Sequence, residues 1–442
     1  MRSGKWVAVI AIGMATSFGC ATQTPSELSS NVVTVSEPIQ QLNQTIHRRS
    51  SSNLLVLKDG SSVYVWVSNV LNEEEGQGFK SFGELKILDP DGITHTVSDA
   101  ESVALVDAET PPQIALGPDG SLLVAYSASN TPESIWTSTS IRTIHSNDGG
   151  KSWSDPVSVG GPFGGYQNNH ELHIGRDGTA YVVWLDSRLA KEDGRDINIL
   201  VSTSTDGGKS WSNPVVVDTE PSCECCRAAI TTDPEGNVYI AWRKKLEGGI
   251  RDIAVSRSSD QGATWSTPVV AFHDNWVQGY CPDAGPSIVA DNSGVLHLGW
   301  WTGSESGNGI KYTRSWDQGV SFSAPLVLSS SEVARPSHVQ LALNKNDVAV
   351  VWDDGSLETP QIALSVSSDK GKTFTRPAMV SHGLFAAAYP HVAFVENQLE
   401  IVWNERGTSA MPSGLAIAEL GIWIPAGEAT GPRILSRRIV LD

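Results

Sequence analysis

One eight-residue turn motif recurs five times, as SNDGGKSW (Ser146 to Trp153), STDGGKSW (Ser204 to Trp211), SSDQGATW (Ser258 to Trp265), SWDQGVSF (Ser315 to Phe322) and SSDKGKTF (Ser367 to Phe374). Its aspartates stand at 148, 206, 260, 317 and 369, so the interval is 52 to 58 residues, the length of one four-stranded propeller blade with its link. The motif is a turn-former. Its carboxylate accepts backbone N–H groups of the turn, the glycine supplies positive φ, and the closing aromatic packs beneath the hairpin.

A second period runs in step with the first. Apolar strands end in an aromatic at Trp66, Tyr126, Trp184, Trp242, Trp300, Trp352 and Trp403, and most follow a short apolar strand and a glycine-containing turn such as ALGPDGS or HIGRDGT. Each such pair is an antiparallel hairpin with half-buried faces. Seven hairpins predict an all-β propeller of seven blades whose first and last lack the turn motif. Closing the ring requires a strand from one terminus to complete a blade begun at the other, since an open ring leaves sheet edges unpaired. Either NVVTVSEP (31–38) or RILSRRIVL (433–441) is available for this.

The repeated turn resembles the Asp-box, or bacterial neuraminidase repeat, of the sialidase superfamily. The resemblance implies an Asp-box β-propeller, six-bladed in the sialidases themselves, with boxes on the rim remote from the active site. The box aspartates are therefore read as structural.

Composition agrees with one large β domain over 53–442: 40% of the 442 residues are hydrophobic, with 41 Gly, 23 Pro and 15 Trp. A formal net charge of −18 argues against nucleic acid or anionic lipid surfaces as partners. Arg2 and Lys5 precede an apolar stretch from Trp6 to Phe18 too short to span a bilayer, which reads as a secretory signal over 1–20. SFGC (Ser17 to Cys20) looks like a bacterial lipobox, which implies a lipid anchor on Cys20 and, with Ala21 next, the outer membrane. The Ser/Thr/Gln-rich stretch within 21–52 reads as a flexible tether, and the whole as a monomer.

Cys223, Cys225 and Cys226 in PSCECCRAAI and Cys281 in GYCPDAGP fall at the crossings into blades four and five, which are neighbours on one face of a propeller. Two readings stand: disulfides, as expected in an oxidising compartment, or a thiolate set with His273 holding zinc or copper. His170, His338 and His391 occupy matching places at the start of inner strands, where side chains face the channel mouth. With Arg227 they are expected to converge there as substrate-binding groups.

The sialidase resemblance implies three arginines on a substrate carboxylate, an acid/base Asp, and a Tyr polarised by a Glu as nucleophile. AAYPHVAFVENQLEIVW (Ala387 to Trp403) is similar to the stretch carrying that tyrosine, which makes Tyr389 the nucleophile candidate. Arg227, Arg243 and Arg251 are the candidates for binding an acidic sugar. Arg188, Arg195 and Arg335 stand near the other clamp positions. The first functional expectation is thus an exo-glycosidase on sialic acid or a related acidic glycan. The alternatives are a non-catalytic propeller that binds a metal or a protein partner, and a lyase of acidic polysaccharides using His/Tyr chemistry.

Overall fold

The computed structural model describes residues 52–69, 82–97, 103–105, 109–130, 138–163, 165–190, 196–278, 282–305, 307–331, 337–383, 385–406 and 433–441, together with strand segments at 28–29, 40–43, 416–417 and 422–423. Its strands form seven antiparallel blades of four strands each, and Val103–Leu105 pairs with both blade 1 and blade 2, which joins those two into one nine-stranded sheet. The only helical element among the described residues is a single 3-10 turn, Glu247–Gly249. All seven aromatics of the second period lie on second strands, for example Trp184 in Ala180–Asp186 and Trp403 in Gln398–Arg406. Their side chains are buried between blades.

The core is divided among the seven gaps between neighbouring blades. One cluster packs Val63, Val65 and Leu85 of blade 1 on Val124 and Ile144 of blade 2, and five more repeat this arrangement around the ring. The last joins Val402 and Ile434 of blade 7 to Leu54, Tyr64 and Trp66 of blade 1, and it closes the circle. Both termini take part in that closure. Arg433–Val440 is the third strand of blade 7, and Gln40–Asn43 pairs with it as the fourth, with Gln40 opposite Ser436. The N-terminal strand is thus Gln40–Asn43, inside the stretch read as a tether, and 31–38 lies outside the described residues. Leu28–Ser29 also pairs, in parallel, with Phe374–Thr375 of blade 6.

The boxes fold as their residue types require. In the second, the Ser204 hydroxyl donates to Asp206 (2.7 Å) and accepts the Gly208 N–H (2.9 Å), while Asp206 accepts both the N–H and the hydroxyl of Ser210. Burial pushes the Asp206 carboxyl up, but these donors outweigh it and bring the group down to about 2. Gly208 combines φ +85° with an approach so close that a Cβ would stand 2.4 Å from Leu123 of blade 2. Boxes join third to fourth strands, so they lie at the end of the ring opposite the starts of the innermost strands, where the candidate site is found.

Candidate active site

The starts of the innermost strands and the crossings that feed them surround a cleft at the channel mouth, lined by Glu109, Arg227, His338, Gln340, Tyr389 and His391. They come from the crossings into blades 2 and 4 and the inner strands of blades 6 and 7. Four predicted residues, Tyr389, Arg227, His338 and His391, are brought together.

Local backbone geometry aims these groups. The first strand of blade 7, Ala386–Val395, loses register between Ala388 and His391, and Tyr389 at that bulge has φ +56°. The first strand of blade 3 carries the equivalent bulge, with Asn169 at φ +53°. A non-glycine residue held at positive φ is strained, and such bulges re-aim side chains. The Tyr389 ring stacks on His338 with centroids 4.2 Å apart.

The two histidines in the cleft are held in opposite charge states. His338 Nδ1 meets Asp353 at 2.7 Å, and Nε2 meets Glu109 at 2.9 Å. Burial works against a charged ring, yet the two carboxylates prevail and hold it well above the ordinary histidine range. His391 is 8% exposed; its burial, then the charges of Arg227 and His338, push it well below that range. Paired titratable groups driven apart in this way are the mark of an acid/base site.

Arg227 supplies the fixed positive charge. Its Nε lies 3.2 Å from Glu171 without aiming its N–H at that oxygen, and its guanidinium donates no hydrogen bond among the described residues. Its backbone is seated on Gly285, where a Cβ would come within 2.1 Å of the Arg227 carbonyl oxygen. Glu109, Glu171 and Asp353 were not among the sequence candidates. Asp353 was marked by following the blade tryptophan Trp352, whereas nothing local marks Glu109 in its crossing.

Other candidates fall elsewhere. His170 is fully buried, with Nε2 on the Ala125 carbonyl at 3.0 Å and Nδ1 near Ser127, and burial brings it down to about 4. It clips blade 3 to blade 2 and does not line the cleft. Arg243 is also buried, donating to the carbonyls of Ala284, Arg251 and Trp301, so its guanidinium is a structural tie. Arg251 turns to Cys223 and Glu224, and Arg188 to Asp186. Arg195 and Arg335 lie outside the described residues.

The sulfur cluster forms, but among the described residues it holds three sulfurs and does not include the His273 imidazole that the metal reading expects. Cys223, Cys225 and Cys226 place their Sγ atoms within 4.8 Å of one another. Cys225 is disulfide-bonded, whereas Cys223 and Cys226 are buried free thiols. Cys281 lies outside the described residues, and His273 is exposed and not part of the group. One of the three sulfurs is in a bridge, and the Arg251 guanidinium stands 3.1 Å from Cys223 Sγ, which places a fixed positive charge against that sulfur. The hydrogen bond from Cys226 lowers the Cys223 thiol to about 6 against its burial, helped by Arg243 and Arg251.

The BNR repeat-like domain family matches residues 92–281. Among solved structures, a protein of unknown function from Dyadobacter fermentans DSM 18053 superposes with a TM-score of 0.51 at 17% identity, covering 78% of this chain and 96% of that one. This chain has the fold of a β-propeller with BNR-type repeats. An ulvan lyase of a polysaccharide lyase family gives 0.51 at 10% identity, covering 84% and 92%. A Hadza microbial sialidase gives 0.49 at 13%, covering 94% and 97%. No curated protein matches the sequence. At these identities the likeness of this propeller to its neighbours is one of fold.

Proposed function

We propose that this sialidase-like propeller is a lyase that cleaves an acidic, uronate-bearing polysaccharide by β-elimination at the channel mouth. The observation that carries the reading is the pairing of a neutral His391 with a charged His338 around Tyr389, next to an Arg227 guanidinium with no hydrogen bond among the described residues. In this reading Arg227 binds the uronate carboxylate and makes the proton on the adjacent carbon more acidic. Neutral His391 takes that proton as general base. The carbon–carbon double bond forms as the glycosidic C–O bond breaks, and the Tyr389 hydroxyl protonates the leaving oxygen. The imidazolium of His338 favours release of that phenolic proton and is itself fixed by Asp353 and Glu109.

A hydrolytic reading rests on one observation, that Tyr389 lines the cleft where a sialidase-like nucleophile would stand. Against it, Arg227 is the only arginine lining the cleft among the described residues, whereas the sialidase resemblance implies three. The two readings separate in one assay series. The purified chain is incubated with uronate-containing polysaccharides and, separately, with sialyl oligosaccharides. Ultraviolet absorbance of a newly unsaturated uronate, lost in Tyr389→Phe and His391→Gln, supports the lyase. Release of free sialic acid without unsaturation replaces it with the hydrolase. We also propose that the chain is exported and held by a lipid on Cys20, for which detergent partitioning of Cys20→Ser against the native chain is the test.

A further inference from the structure

We propose that Glu171 is a specificity-determining partner of Arg227: its carboxylate accepts a ring hydroxyl of the same acidic sugar whose carboxylate Arg227 binds, and excludes a sugar with a sulfate ester in that place. The inference rests on the reading of Arg227 given above and adds a second contact to it. Beneath the cleft, the central channel holds a cavity of about 190 Å³ whose polar lining is Glu171, His173, Arg227, Thr231, Ser287 and Gln340. Arg227 and Gln340 line both spaces, so Arg227 stands where cleft and cavity meet.

Among the seven innermost strands only those of blades 3 and 7 carry titratable side chains, and Glu171 is their single carboxylate. Its Oε2 is buried 3.2 Å from Arg227 Nε yet accepts no hydrogen bond among the described residues, and the 22% of the side chain that stays open faces the cavity. The pair therefore has unmet donors on the arginine and an unmet acceptor on the glutamate. Buried polar groups are rarely left so, because an unmade hydrogen bond costs more than a made one contributes. An acidic sugar brings both partners, a carboxylate for the guanidinium and a hydroxyl for Glu171. No other charge in the cavity offsets Glu171: burial brings His173 down to about 4, which leaves it neutral with Nε2 on the Thr232 hydroxyl at 2.9 Å, and Thr231, Ser287 and Gln340 are uncharged. A sulfate in place of the hydroxyl sets an anion against the carboxylate, and repulsion of this kind is a strong source of discrimination.

Affinity electrophoresis of the full chain tests this, in gels holding polyglucuronate, polymannuronate or polygalacturonate, each before and after chemical O-sulfation of its ring hydroxyls. Burial pushes the Glu171 carboxyl up and Arg227 draws it back, so the gels are run at about pH 8, where it is ionised, and at about 0.15 M salt to screen distant charges. The expected result is that at least one unsulfated polymer binds about tenfold or more tightly than its sulfated form. Glu171→Gln should weaken binding of the unsulfated polymer about three- to tenfold, since a neutral amide is the poorer acceptor, and strengthen binding of the sulfated one by a similar factor. The opposite signs are the signature, because a purely structural role for Glu171 lowers both affinities and a mere change in net charge raises both. A native chain that binds the sulfated form as tightly as the unsulfated one, or a Glu171→Gln variant that shifts both in one direction, overturns the proposal and leaves the reading of Arg227 standing. If no polymer binds the native chain, or Arg227→Met binds as the native chain does, the reading of Arg227 falls and the inference falls with it. The comparison on the native chain decides even where a variant fails to fold.

Discussion

The chemistry of the cleft depends on charge states set by neighbours that are distant in sequence. His338 is held by a carboxylate 15 residues on and another more than two hundred residues back. Its folded-state pKa is raised, so its ion pairs stabilise fully below the unfolded value of about 6.5 and are lost only as pH climbs through the raised value. His391 has the opposite sign: its neutral state is favoured by folding, and this is lost as pH falls below about 6.5 toward its depressed value. If the two act as proposed, kcat/KM stays flat across the ordinary histidine range. Its acid limb falls below that range and its alkaline limb above it. Glu109→Gln should bring the alkaline limb downward while leaving the acid limb in place, and a pH–rate profile of both proteins measures it. A single limb centred near the ordinary histidine value would remove both histidines from the mechanism. Arg243 shows why residue type alone misleads, because the sequence gives a clamp arginine and a structural arginine the same letter. Arg243→Met orphans the carbonyls of Ala284 and Trp301 and should cost about 3 kcal/mol of stability in a denaturant titration, with KM unchanged.

At the scale of the element, the repeat was legible because each blade solves the same packing problem with the same residues. The aromatic of every second strand and the Ser–Asp–Gly turn declare themselves locally, and the blade count follows from them. The site was legible where the same periodicity reached it, at His338, Tyr389 and His391 near the starts of inner strands, and at Arg227, which directly follows the cysteine run. Glu109 and Arg227 come from crossings between blades, whose paths follow no period. The bulge at Tyr389 was also hidden, since tyrosine does not advertise positive φ, whereas Asn169 is of a residue type enriched there. Arg227 itself depends on a crossing from the next blade, because Gly285 is the only residue small enough beneath its carbonyl. Gly285→Ala should therefore raise KM for an acidic glycan about as far as Arg227→Met does, while circular dichroism stays native. Unchanged binding in the alanine variant would show that the crossing can yield and that Arg227 is not positioned by it.

On the scale of the whole molecule, one interface of the ring differs from the rest in its connectivity. Six blade gaps join consecutive blades, but the seventh must be made by the two ends of the chain; its apolar cluster has Leu54, Tyr64, Trp66, Val402 and Ile434 fully buried, with partly buried Leu42, Val56, Leu88 and Ala393 packed against them. Polar contacts reinforce it. Glu400, 2% exposed, accepts from Tyr64, from the Ser62 hydroxyl at 2.7 Å and from Arg438 at 3.1 Å, and Ser52 donates to Asn404 at 3.2 Å. One carboxylate thus links blade 1 to two strands of blade 7, across the closure. Burial of an ionised group is tolerated only with such partners, and removing it takes the shared carboxylate from Tyr64 and leaves Arg438 with only its longer contacts to the Gly60 carbonyl and Ser62. Glu400→Ala should destabilise the chain by about 2–4 kcal/mol. The loss should appear at the closure first: native-state hydrogen exchange in the variant should accelerate in 52–56 and 433–440 before it does in 238–245 of blade 4. Uniform acceleration around the ring would mean that closure is no weaker than the other six gaps and that the propeller opens only as a whole.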